Sequence, residues 1–468
     1  MVFDDVFSRF IDESPVCVMF RGTLENVFSA KRLNQIFEET AERQYCRELL
    51  FSTCADSLAA VVMRSHKSVN SVYRHRREQI GVSVRALYDK LAGIETTVSE
   101  RMVRDTASDL TAILSEMGAT RASALARYEV RILDGNHLSA TDHRIKELRD
   151  VGGAPLPGHT LAILNPQSEV IEDVITCEDG HASERSLLPR VLEKVQAGQC
   201  WIGDRNFCTF GCLWEINERG AYFIIRQHGQ LPGTLTGRRR KLGRIETGVV
   251  YEQSLCLTDH DMRQFLVRRI SVHLDKPTRD GDTEIHILSN LPARISGKKI
   301  ARSYRDRWQI EDAFRELATT LRSEINTLGY PAAALFGFCI AVVTYNALSA
   351  VRAALRTASR KSQKKNAGDA ASIRRFSAYY LAEEISGVYR GMMIAIPATH
   401  WMDAFARLTP RQMAKTLLWL AKRVDFQIFY TNPHNGQPKK PKPKSQRRQK
   451  GRHVSTHKVL LERSIARQ

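Results

Sequence analysis

The sequence predicts an α/β core carrying a β-rich insertion and flanked by helical N- and C-terminal regions. Three observations predict it. Short Val/Ile/Leu-rich runs alternate with helical patterns over residues 128–227 in the order β-β-β-α-β-α-β. Residues 228–292 lack a helical period and instead alternate between Gly and Pro turns. On either side, apolar residues recur three and four apart, as helices require.

Residues 1–125 read as a helical N-terminal domain. LNQIFEETAERQYCRELLFSTCADSLAAVVM carries the helical period, and a second unit, SVRALYDKLAGIETTVSERMVRDTASDLTAIL, breaks at Gly93-Ile94. Two helices around such a turn suit a DNA-reading pair or a packed bundle equally. Arg64, Lys67, Arg74, Arg76 and Arg77 cluster just before it. The core spans residues 126–335. YEVRILDGNH reads as a strand turning at Asp134-Gly135, followed by strands at 159–166 and 169–177. SERSLLPRVLEKVQAG reads as a helix over 183–198, CWIGD as a strand ending in Asp204, TFGCLWEINERG as a helix and AYFIIRQ as a fifth strand. The insertion follows, with the basic run Arg238, Arg239, Arg240 and Lys241.

Residues 301–329 read as one long helix ending at Gly329, with Ile310, Ala313, Phe314, Leu317 and Leu321 on its buried face. At about 100° per residue, Tyr304, Arg307, Glu311 and Ala318 fall within roughly 60° of one another. In an ordinary amphipathic helix Glu311 pairs with Arg315. Residues 336–430 form a helical C-terminal domain, whose apolar run at 332–343 reads as a core helix. Residues 431–468 form a basic tail. QPKKPKPKSQRRQKGRH carries eight Lys or Arg and no acid, so this tail is expected to be disordered.

The chain has 468 residues, a net charge of +19 and 43% apolar residues, so it is globular and suited to a polyanionic partner. No CxxC pair occurs, and Cys208 and Cys212 lack companions for a zinc site. They read as small buried residues. Scattered cysteines and an acidic N-terminus without a signal-peptide pattern suit a cytoplasmic, nucleoid-associated protein. His137, His143 and His181 read as polar or phosphate-contact residues, and Trp201 and Trp308 as core aromatics.

Asp134 and Asp204 close strands, and Glu311 lies on a helix that this topology can bring to the same sheet edge. Three carboxylates gathered there repel one another unless a cation is present. Hard oxygen donors suit Mg²⁺ or Mn²⁺. Two such ions serve phosphodiester displacement without a separate general base.

The segment Tyr304-x2-Arg307-x3-Glu311, followed by LRSEINTLGYP, resembles the signature of bacterial insertion-sequence DDE transposases. It is similar in particular to insertion sequence family four, whose signature is Y-x2-R-x3-E-x6-K. LDGNHL around Asp134 and IGDRNFCT around Asp204 resemble that family's two aspartate motifs, and ERSLLPRVL its intervening helix. The resemblance implies an RNase H-like core with Asp134, Asp204 and Glu311 as the metal-binding catalytic triad. It also implies that the insertion helps hold the transposon end and that Tyr304 and Arg307 contact phosphate. The active assembly is expected to be a homodimer on double-stranded DNA ends. The chain departs from the pattern at Ala318, where the signature has lysine. Arg315 and Arg322 are the candidates to replace that lysine at phosphate. Arg238, Arg239, Arg240 and Lys241 are expected to track the DNA backbone, the N-terminal helices to read the element's end, and the tail to add salt-sensitive attraction. The expected activity is metal-dependent cleavage and strand transfer in cut-and-paste transposition. The alternatives are an RNase H-like DNA nuclease without strand transfer, a catalytically silent transposase-derived DNA-binding protein, and a structural nucleoid protein.

Overall fold

The computed structural model describes residues 5–44, 48–278, 281–366, 375–431 and 452–466. The N-terminal region is helical: α1 (Asp5–Glu13), α2 (Pro15–Val27), α3 (Ala30–Thr40), α4 (Phe51–Val62), α5 (Val69–His75), α6 (Arg77–Ile80), α7 (Val84–Gly93) and α8 (Thr96–Met117). Then come strands β1 (Glu129–His137), β2 (Ala154–Leu156), β3 (His159–Asn165) and β4 (Val170–Cys177), helix α9 (Leu188–Leu192), β5 (Gln199–Gly203), α10 (Phe210–Glu218) and β6 (Tyr222–Arg226). Four further strands follow: β7 (Gly233–Ile245), β8 (Gly248–Thr258), β9 (Gln264–Leu274) and β10 (Glu284–Ser289). The rest is α11 (Gly297–Tyr304), α12 (Trp308–Thr319), α13 (Pro331–Asn366), α14 (Ala378–Ala395), α15 (Ala398–Trp401), α16 (Pro410–Ala421), α17 (Phe426–Phe429), β11 (His453–Ser455) and α18 (Thr456–Ile465). The molecule is thus a mixed α/β protein with one large sheet and helical N- and C-terminal regions.

The large sheet has the order β4-β3-β1-β5-β6-β10-β9-β8-β7. β1, β5 and β6 run parallel, while β3 runs against both β1 and β4. The strands after β6 form an antiparallel meander that joins the same sheet through β10 rather than standing as a separate layer. Its outer strand, β7, is exposed along most of its length and is broken in register on both sides of Arg240 and Lys241. Charge and bulges of this kind keep an open edge from pairing with another chain.

The opposite edge, β4, is covered rather than charged. α13 is apolar and long enough by composition to cross a membrane, yet its most apolar 18-residue stretch is buried within the protein, where the helix packs against α8, α4 and α16. Its Asn346 is fully buried. The side-chain carbonyl accepts from the Ile171 N–H at 2.9 Å, and the amide donates to the Ile171 carbonyl at 2.9 Å. On α8, Glu100 accepts from both the N–H and the hydroxyl of Thr176 and pairs with Arg190. These side chains bond the outward backbone groups that the edge strand would otherwise leave unpaired in the core.

Several elements depart from the sequence reading. The helix expected over 301–329 is two helices separated by a 3-10 turn at Arg305–Arg307, and it ends at Thr319. Beyond the β-branched Thr319 and Thr320, the Arg322 N–H donates to the Val62 carbonyl at the end of α4, which draws the chain off the helix axis. The helix expected over 183–198 is a 3-10 turn, Glu184–Leu187, running into the short α9. The tail was expected to be disordered to its end. Residues 432–451 lie outside those described, but 453–465 fold: β11 pairs in parallel with β2, and Ser455 caps α18. The apolar residues Val454, Val459, Leu460, Leu461 and Ile465 and the Ser455 cap were masked by the basic composition before them. Lys458 reaches Asp179 at 3.3 Å and fixes the return.

Replacing Asn346 with Leu keeps the bulk but leaves two buried backbone groups unpaired, so it should destabilise the protein by about 2–5 kcal/mol. Urea denaturation measures this. A loss under about 1 kcal/mol would show that the edge of β4 does not depend on Asn346.

Candidate active site

Parallel pairing of β1 with β5 ends at Leu133 and Gly203. The next residues are Asp134 and Asp204, so the two carboxylates start from neighbouring strands at one level, about 4.8 Å apart along the hydrogen-bonding direction. The strand carrying Asp134 does not turn there, as the sequence reading had it. It continues to His137, because β3 goes on pairing with it as far as His159. Beyond Gly203 the chain leaves the sheet, and Asp204 caps a 3-10 turn by accepting from the Asn206 N–H at 2.8 Å. The other Asp134 contact is local: its Oδ1 accepts from the Gly135 N–H at 2.9 Å.

Glu311 arrives from the first turn of α12. Arg307, four residues before it, stands between the elements: Nη1 donates to Asp134 Oδ2 at 2.8 Å and Nη2 to Glu311 Oε1 at 2.5 Å. Glu311 therefore pairs backwards with Arg307, while Arg315 pairs with Asp312 at 2.6 Å. The hydroxyl of Tyr304, one turn earlier, is buried beside Arg307, and burial raises its pKa while the Arg307 charge opposes this. Burial works against the Arg307 charge, but Tyr304, Asp134 and Glu311 together hold its pKa above the ordinary value. Burial pushes the Asp134 carboxyl up to about 6; Arg307 opposes this, and Asp204 and Glu311 add to it. Asp204 is also raised, by burial first and by Glu184 among its neighbours. The arrangement is short of positive charge even with its arginine in place. Among the described residues, no three His, Cys, Asp or Glu side chains close on a single point as metal ligands do. The guanidinium keeps the Asp134 and Glu311 carboxylates apart.

Glu184 was not foreseen. Its carboxylate lies over Gly135, where a Cβ would stand 2.0 Å from Oε1. It accepts from the Asn206 side-chain amide at 2.6 Å and sits 3.5 Å from His137 Nε2. The His137 ring lies 5.0 Å from that of the buried His159. Glu184 therefore joins the Asp204 turn to the strand of Asp134. The Ser183 cap ahead of it made it look like an ordinary first-turn acid. Two glycyl positions were the available signal: LDG and IGD both leave room beside an aspartate.

The remaining expected site residues are spread out. Tyr304 and Arg307 are at the acids. Arg315 is exposed one turn beyond Glu311. Arg322 lies off the helix, with its guanidinium donating to the Lys67 carbonyl at 2.6 Å. On β7, Arg239 pairs with Glu284 and lies over the Tyr251 ring, and Arg240 is 3.7 Å from Glu252. Arg238 and Lys241 are exposed. Of the other histidines, His143 Nε2 bonds the Gly153 carbonyl and the His181 N–H donates to Asp179, both in the corner where β2 meets β11. Trp201 is buried as expected, but Trp308 is 57% exposed. It opens α12 on the side away from the sheet, with Arg307 5.7 Å from its ring. Cys208 and Cys212 are buried, and burial pushes their thiols up to about 11 and about 12, so neither is a ready thiolate ligand.

The Glu184 carboxylate, which accepts from the His137 ring, raises the His137 pKa. The pair's contribution is therefore present below the unfolded value of about 6.5 and is lost as the pH rises through the raised folded value. In an NMR titration His137 should have its midpoint above about 6.5, and Glu184→Gln should lower it. An unchanged midpoint would mean that Glu184 does not hold the ring.

Residues 125–347 match the family model described as a transposase DDE domain. No curated protein matches the chain. Among solved structures, a similar one is a cryo-EM structure of the piggyBac transposase synaptic complex with hairpin DNA. It is 11% identical and covers 87% of this chain and 85% of that chain, with a TM-score of 0.38. Asp134, Asp204, Arg307 and Glu311 all fall within the matched stretch, and the match supports residues 125–347 as the DDE domain of a transposase.

Proposed function

We propose that this protein is a DNA transposase of the kind found in insertion sequence family four. It binds the inverted-repeat ends of its element, cuts the DNA there and joins the freed end to a target. The observation that carries this reading is the convergence of Asp134 and Glu311 on Arg307, with Asp204 beside them, inside the stretch that matches a transposase DDE domain. The order β4-β3-β1-β5-β6, in which β3 alone is reversed, supports an RNase H-like core. The basic surface and the net charge of +19 support double-stranded DNA as the partner. A homodimer on two ends, and a place among the nucleoid DNA of the cytoplasm, belong to the same reading.

The residues fit divalent cations. Their donors are hard carboxylate oxygens, which suit Mg²⁺ or Mn²⁺. Burial raises Asp134 and Asp204, so both gain from added positive charge. Asp134, Asp204 and Glu311 would hold the ions. When bound there, two such ions would supply activation of a water or a 3′-hydroxyl and stabilisation of the leaving oxygen. In cleavage, a water oxygen forms the new bond to phosphorus, the 3′-oxygen leaves, and a proton restores its hydroxyl. In joining, that 3′-hydroxyl oxygen bonds to a target phosphorus, and the target's own 3′-oxygen leaves.

The protein's own groups orient these events. The Asn206 N–H fixes the direction of Asp204, and the Asn206 amide ties it to Glu184. Arg307 offers a planar set of donors, one of which, Nε, is buried and has no partner among the described residues. Such a fork suits phosphate. Ala318 is exposed on the Glu311 face, so lysine chemistry is missing there and Arg315 is the nearest replacement.

The test compares wild type with Glu311→Gln on DNA carrying the element's flanking ends, with Mg²⁺ and a supercoiled target. Wild type should cut at the boundary and give joined product. The variant should bind but cut about 100-fold less or worse, equivalent to about 3 kcal/mol. Cutting without joined product would favour a nuclease. Binding of the ends by both proteins without any cutting would favour a silent DNA-binding protein.

A further inference from the structure

A cleft of about 1370 Å³ lies off the triad face, between α12, α13, the 121–125 segment and the start of α14. α12 divides its faces among three tasks. Arg307 and Glu311 point to Asp134, and Ile310, Ala313 and Leu317 to the core. Trp308, Asp312, Arg315, Glu316 and Thr319 line the cleft. At about 100° per residue, the cleft face is centred roughly 100° around the helix from Glu311, with Arg315 about 40° away at the boundary. A strand leaving the triad past Arg315 therefore enters this cleft.

The cleft is rich in arginine. Arg121, Arg352, Arg356, Arg360 and Arg375 line it with the acids Glu169 and Glu316, and Arg302, Arg305 and Arg315 line it with Glu246, Asp306 and Asp312. Arg121 and Arg356 both pair with Glu169, and Arg352 pairs with Glu316 at 2.8 Å. Arg360 and Arg375 are exposed, and no ion pair to either is found among the described residues. The Arg352 and Arg356 side chains are 8% and 9% exposed. Each keeps a buried donor without a partner, Nε on Arg352 and Nη2 on Arg356. Two buried guanidiniums with donors left over, in a cleft with more arginines than acids, are short of an anion. Burial, with the neighbouring charges of Arg121 and Arg352, holds the Arg356 pKa below its ordinary value despite Glu169.

We propose that this cleft is a second nucleic-acid contact, in which Arg352, Arg356, Arg360 and Arg375 hold the phosphate backbone of a DNA strand on the side of α12 away from the acids. The proposal rests on the DNA-processing reading above and adds to it a path: DNA crosses α12 from the triad, past Arg315, to the arginine cleft. The buried pair reads phosphate geometry through fixed guanidiniums, and the rim pair adds counterion-releasing contacts.

The test uses the rim, because the buried arginines also hold Glu169 and Glu316 in the fold. Binding of a fluorescein-labelled duplex of random sequence is measured by anisotropy across a salt series, for wild type and for Arg360→Ala with Arg375→Ala. Each lost phosphate contact lowers the slope of log K against log salt by about 0.9, so the double variant should lose about 1.8. The double variant Arg411→Ala with Lys422→Ala, on the exposed side of α16, removes the same charge elsewhere and should leave the slope near wild type. An unchanged slope in the rim variant, or an equal drop in the α16 variant, would overturn the cleft while leaving the transposase reading standing. Failure of wild type to bind DNA at all would sink both. A thermal shift with inorganic pyrophosphate that is lost in the rim variant without any change in DNA slope would assign the cleft to a small phosphoanion and overturn the strand.

Discussion

Burying like charges side by side requires a counter-charge, and here Arg307 supplies it. It bonds Asp134 on the sheet and Glu311 on α12 at once, so it fixes the docking of α12 onto β1 as well as the spacing of the acids. The 3-10 turn that breaks the helix ahead of α12 ends on this residue. One guanidinium serves Asp134 and Glu311 and lies near Asp204, yet burial, with Asp204 and Glu311 adding to it, still pushes Asp134 up to about 6. In the proposed reading such a site would accept further cations, and Arg307 would present a phosphate-shaped donor set where the acids meet.

The scaffold makes that concentration of charge possible by spending its apolar and polar pairs elsewhere. α13 runs through the interior with its apolar stretch buried, and its Asn346 and the Glu100 of α8 close the β4 edge of the sheet. The opposite edge is left open and basic on β7. The sheet is thus closed on the side of the helical regions and charged on the other, and β1 and β5, which carry the aspartates, lie well inside it. Glu184 extends the polar group by one more carboxylate, held by Asn206 and by His137 rather than by Arg307.

Much of this was legible because period and spacing are local properties. The strands of the core, the break at Gly93 and the buried character of residues 332–343 follow from side-chain patterns that report directly on burial. The placement of Asp134 beside Asp204 followed from their positions at the strand ends, although β1 runs three residues past the expected turn, for its partner β3 is long. Tertiary bonds were not legible. Nothing in LATTLRSEINTLGYP announces that Arg322 bonds the end of α4, so the helix was read ten residues too long and Arg322 was placed on a face it does not occupy. Trp308 looked like a core residue by type alone. The fold of β11 and α18 was hidden behind a run of lysine and proline, and Glu184 behind an ordinary cap.

The central claim is that Asp134, Asp204 and Glu311 form one cation-accepting centre. The most direct measurement replaces Mg²⁺ with Fe²⁺ in the presence of ascorbate and peroxide, so that hydroxyl radicals cut the polypeptide beside the bound ion, and maps the fragments by mass spectrometry. The account predicts cuts clustered around all three residues, suppressed together by excess Mg²⁺ and by Asp134→Asn. Cuts confined to one of the three, or placed elsewhere in the chain, would contradict it.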